Sequence, residues 1–77
     1  MAELTDILAW GPADIAALPY EQARAALDVV VTALEDGDIP LEELMHLWEV
    51  GERLASACEA LLTRAQERLD AATAPEA

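Results

Sequence analysis

Apolar residues recur at alternating gaps of three and four along two stretches of the chain, the mark of helices that each bury one stripe. In the first stretch, Tyr20 to Asp36, there is neither Pro nor Gly, and the stripe is Tyr20, Ala23, Leu27, Val30 and Leu34. Val29-Val30-Val31 is strand-like by itself, but its flanks keep the helical period, so a helix is predicted over residues 20–36. Gly37 follows as a residue free to take the left-handed conformation that ends helices. Asp38-Ile39-Pro40 make a tight connection, and Pro40 fits the first turn of a new helix, with Glu42 and Glu43 near the positive end of its dipole. From Leu41 the second stretch runs without proline to about Ala72. Its stripe is Leu44, Trp48, Gly51, Ala55, Cys58, Leu62, Ala65, Leu69 and Ala72, again at gaps of four and three.

The chain divides into three parts. Residues 1–19, broken by Gly11-Pro12 and Pro19, read as a loosely ordered lead-in. Residues 20–72 read as an antiparallel two-helix hairpin of coiled-coil character, and residues 73–77, with Pro75, as a fraying tail. The expected fold is therefore all-α, with a long second helix and a tendency to oligomerise. With the turn centred near Ile39, Leu34 faces Leu44, Val30 faces Trp48, Leu27 faces Gly51 and Tyr20 lies beside Cys58. The expected hairpin core is Tyr20, Leu27, Val30, Leu34, Leu44 and Cys58.

Two arguments require a further partner. At 1.5 Å per residue the helices are roughly 25 and 48 Å long, so the first covers about half of the second and leaves Leu61, Leu62, Ala65 and Leu69 bare. The prolines of the lead-in disfavour a long helix there, and another chain is the simpler cover. Leu47, Val50, Leu54 and Leu61 also form a second stripe beside the first, widening the apolar arc to about 180°, where one helix-on-helix seam needs about 100°. The residues expected to meet a partner or another copy are Leu47, Trp48, Val50, Gly51, Leu54, Leu61, Leu62 and Leu69. Glu49, Glu52, Arg53, Ser56, Glu59, Thr63, Glu67 and Asp70 make the solvated face.

Composition narrows the function. Seventy-seven residues allow one small domain and make a self-contained enzyme unexpected. Sixteen acidic residues against four Arg and no Lys give a net charge of −12, which repels a phosphate backbone. At 55% hydrophobic residues the chain is nevertheless built to fold. No apolar run is long enough to span a membrane, and Glu3 and Asp6 stand where a signal peptide would be basic, so a cytoplasmic protein is expected. The single Cys58 can form no internal disulfide, and its place mid-helix on the apolar stripe reads as a small buried hydrophobe rather than a nucleophile. His46 beside Glu42, Glu43 and Glu49 has the composition of a metal site but reads better as a residue on the flank of the hairpin. No catalytic residue, metal or cofactor is called for. Gly51 is the one oddity, because mid-helix glycine costs about 0.8–1 kcal/mol relative to alanine, and close approach of two backbones is the expected reason.

One set of residues carries a family pattern: Tyr20-Glu21, Leu27, Val30-Val31, Leu34-Glu35-Asp36-Gly37, Leu41-Glu42-Glu43-Leu44, Leu47-Trp48-Glu49, Gly51, Leu54, Cys58, Leu61 and Ala65. From Tyr20 to about Ala72 the chain resembles the small subunit of exodeoxyribonuclease VII. Each element alone is ordinary coiled-coil grammar, but the Leu-Glu-x-Gly turn, mid-helix glycine and downstream cysteine in one order are specific. Trp48 stands where Tyr or Phe is usual, Pro19 where a Ser or Thr cap is common, and the lead-in has no counterpart.

The resemblance implies a non-catalytic subunit, several copies of which assemble with one large subunit. The complex is a nuclease that degrades single-stranded DNA from either end to oligonucleotides. Catalysis and DNA contact would then belong to the large subunit, and this chain would meet DNA only through the complex. The competing class is an interaction protein unrelated to nuclease action, such as an acidic DNA mimic presenting Glu49, Glu52, Glu59 and Glu67.

Overall fold

The computed structural model describes residues 3–73. Four helices follow in order: α1 (Leu4–Leu8), α2 (Pro12–Ala16), α3 (Tyr20–Asp36) and α4 (Leu41–Thr73), and the described residues contain no strand. The fold is all-α. The molecule measures 58 × 21 × 19 Å, and the 33 residues of α4, at about 1.5 Å each, account for most of the long dimension.

Each boundary has a local cause. Gly37 ends α3 at φ 72°, where only a residue without Cβ is unstrained. Pro19 and Pro40 each immediately precede a helix, and their carbonyls accept the first helical bonds, from Ala23 N–H at 3.0 Å and Leu44 N–H at 2.9 Å. The Val29-Val30-Val31 run lies inside α3, where helix length and one buried face outweigh its β preference. The expected tail, beyond Thr73, lies outside the described residues.

The lead-in differs from the sequence expectation. It forms two five-residue helices whose isoleucines, Ile7 and Ile15, are buried in the core. Pro12 occupies the first turn of α2, where its missing N–H is harmless, so the proline starts a helix rather than preventing one. Each short helix is tied at its start by a carboxylate: Glu3 N–H donates to Asp6 and Gly11 N–H donates to Asp14. His46 on α4 donates from Nε2 to the carbonyl of Leu8 at 2.8 Å and so holds the end of α1 against α4.

The core sits where α1 and α2 cover the packed pair α3 and α4. Ile7, Ile15, Ala26, Val30, Leu47, Val50 and Leu54 form its centre, with Leu4, Leu8, Trp10, Leu18, Leu27 and Leu34 packed around it. Complete burial of a Val, Leu or Ile side chain contributes about 1.5–3 kcal/mol. This cover turns the second stripe of α4 inward, a rotation of about 70° from the seam that the sequence suggested.

Candidate partner-binding surface

The residues expected to meet a partner separate into two groups. Leu47, Val50 and Leu54 are buried within the chain, because Ile7 and Ile15 supply the cover that a second chain was expected to provide. Gly51 and Leu61 are half-buried, and Trp48, Leu62 and Leu69 are exposed. Among the residues expected in the hairpin core, Val30 and Cys58 are buried, and Tyr20, Leu27, Leu34 and Leu44 are half-buried. The facing pairs shift as well. An ideal Cβ on Gly51 would lie 3.2 Å from Val30 Cγ1, so Val30 packs against Gly51, and Trp48, its expected partner, points to solvent.

Among the described residues, the exposed large apolar side chains lie along one row of α4, Val31 of α3 apart. Leu41, Trp48, Ala55, Leu62 and Leu69 follow one another every seven residues, with Met45 beside them, and all are exposed. The fractions are 70% for Leu41, 59% for Met45, 57% for Trp48, 53% for Leu62 and 57% for Leu69. A strict seven-residue apolar repeat is the pattern by which one helix lies along another in a left-handed supercoil. In the first half of α4 the companion positions, Leu44, Gly51 and Cys58, turn toward α3. From Leu62 to Thr73 every residue is exposed among the described residues, and Ala65 and Ala72 join Leu62 and Leu69 on an open face.

A different face carries an open groove between α2 and α4, about 430 Å³ in volume, with Ile15, Ala57 and Leu61 in its floor and Arg53 and Arg64 at its wall. Cys58 is a free, buried thiol. Among the described residues, no three His, Cys, Asp or Glu side chains are gathered to hold a metal ion.

The family model described as exonuclease VII small subunit matches residues 20–71, which is α3 and all but the last two residues of α4. The chain belongs to the exonuclease VII small subunit family. It is 57% identical over 61 residues to the exodeoxyribonuclease 7 small subunit of Leifsonia xyli subsp. xyli, covering 79% of this chain and 66% of that one. To the exodeoxyribonuclease 7 small subunit of Acidothermus cellulolyticus it is 52% identical over 61 residues, covering 79% and 64%. To that of Bradyrhizobium diazoefficiens it is 41% identical over 73 residues, covering 95% and 81%. The chain thus spans about two thirds of the length of the first two relatives. No solved structure matches it. The matched stretch includes α4, which bears the exposed row, whereas α1 and α2 precede it. No described helix is long and apolar enough to cross a membrane.

Proposed function

We propose that the chain is the non-catalytic small subunit of a cytoplasmic exodeoxyribonuclease VII, a complex that degrades single-stranded DNA from both ends to oligonucleotides. Its α3–α4 hairpin lies along helices of the large subunit and stiffens them, while the large subunit grips DNA and hydrolyses it. The observation that carries this reading is the exposed seven-residue row on α4, continued by the uncovered face at Leu62, Ala65, Leu69 and Ala72. An apolar row of this length on a soluble chain marks a protein interface. A net charge of −12 supports a partner that is protein rather than DNA, because the arginines are too few to neutralise a phosphate track.

The reading corrects the surface expected from sequence. Leu47, Val50 and Leu54 act indirectly, by holding α4 in place, and the contact itself falls to Leu62 and Leu69. Co-expression with the large subunit of the same source, purification through a tag on that subunit, and assay of single-stranded DNA degradation provide the test. The expected result is co-purification, with activity that falls when the chain is omitted. A large subunit purified without this chain and equally active would overturn the proposal.

A further inference from the structure

Three of the four arginines of this acidic chain gather on one face of α4. At about 100° per residue, Arg53, Arg64 and Arg68 fall within about 60° of one another around the helix, with Ala57 among them. All three are exposed. The fourth, Arg24, lies on α3 and pairs with Asp28 at 3.9 Å, whereas no ion pair of the other three is found among the described residues. Arg53 and Arg64 wall the groove between α2 and α4, which Pro12, Ile15, Ala57 and Leu61 make apolar, with Glu52 as the carboxylate on its lining. At about 430 Å³ the groove falls in the usual range of ligand pockets, about 300–1,000 Å³. Part of it comes from α2, which precedes the stretch that carries the small-subunit pattern. The exposed row is on the other side of the helix, since Ala55, Leu62 and Leu69 lie about 160–200° around α4 from Arg53.

We infer that the α2–α4 groove is a docking site for a second protein, one that offers a short extended segment with a carboxylate at each end and apolar side chains between them. The site is distinct from the proposed large-subunit contact, because that contact uses the opposite face of α4 and leaves the groove free. Charge complementarity selects the segment. On a chain with sixteen carboxylates, the arginine face is where an acidic group is attracted rather than repelled. Arg53 and Arg64 pair with the two carboxylates, a match that guanidinium geometry favours, and the apolar floor takes the side chains between them. Length sets the spacing. The two arginines are about 16 Å apart along α4, and an extended chain rises about 3.3 Å per residue, so carboxylates about five residues apart reach both. Single-stranded DNA is the poorer fit, because the lining holds no aromatic ring on which a base stacks.

The test is fluorescence anisotropy with the full chain and the end-blocked, fluorescein-labelled peptide Glu-Leu-Ile-Leu-Leu-Glu. Saturable binding is expected, lost when the residues between the glutamates are all Ser and weakened about five- to tenfold when both glutamates are Gln. Arg53→Gln/Arg64→Gln weakens it by a similar factor, whereas Arg24→Glu, which lowers the net charge by as much but lies on α3, leaves it unchanged. All three substitutions are at exposed positions, and unaltered helical dichroism shows the variants folded. Absence of saturable binding, equal binding of the Gln peptide, or equal weakening by the two variants would each overturn the inference, as would a labelled oligothymidylate that binds through Arg53 and Arg64 where the peptide does not. The complex with the large subunit is expected to bind the peptide as well as the free chain does. Exclusion of the peptide from that complex would overturn the assignment of the groove to a second protein. A chain that binds the peptide but forms no complex with the large subunit supports the groove and counts against the proposed function alone.

Discussion

Gly51 shows how tightly α3 and α4 approach. A Cβ there would stand 3.2 Å from Val30 Cγ1, so even a methyl is tight and Val30 must give way by a few tenths of an ångström. Gly51→Leu is expected to destabilise the chain by about 1–3 kcal/mol, as overpacking does, read as a lower midpoint in thermal unfolding followed by circular dichroism. Leu54 and Leu69 make a contrasting pair on the same helix. Leu54 is fully buried, and Leu54→Ala is expected to cost about 2–5 kcal/mol. Leu69 is 57% exposed, and Leu69→Ala is expected to stay within about 0.5 kcal/mol of wild type in the same measurement. That Gly51 needs a packing reason was legible from its helix cost alone. Its partner was not, because whether Val30 or Leu27 lies opposite depends on how far both helices rotate toward residues outside the hairpin.

At the scale of elements, the short helices decide which stripe of α4 is inside. Ile7 and Ile15 close over Leu47, Val50 and Leu54, and the His46–Leu8 hydrogen bond fastens α1 to α4. Ile7→Asp/Ile15→Asp is therefore expected to release α1 and α2 and bare those three side chains. The measurement is binding of an apolar dye, expected to rise sharply while most helical dichroism from α3 and α4 remains; unchanged dye binding would show that the cover is dispensable. The long helices could be read from the sequence because a period needs several turns to declare itself, and Tyr20–Asp36 and Leu41–Thr73 supply them. Five-residue helices supply one turn each and show no period, and Pro12 and Pro19 read as breaks although each sits where a helix begins. The sequence thus revealed that the apolar arc was too broad for one partner, but not that part of the cover lay within the chain.

For the whole molecule, charge and apolar surface have separate roles. In the proposed account the −12 charge disfavours a phosphate backbone, and the exposed end of α4 offers the large subunit a contact that does not depend on charge. The complex with the large subunit is accordingly expected to survive a wash at about 1 M salt, where the screening length falls to about 3 Å. The central claim is that the bare half of α4 holds the large subunit, and retention of Leu62→Asp/Leu69→Asp on the tagged large subunit tests it most directly. Both residues are exposed, so the free chain keeps its helical dichroism, and the account predicts that it is lost from the complex while Leu62→Ala/Leu69→Ala is retained in part. Full retention of the aspartate variant, with DNA degradation unchanged, would contradict the account.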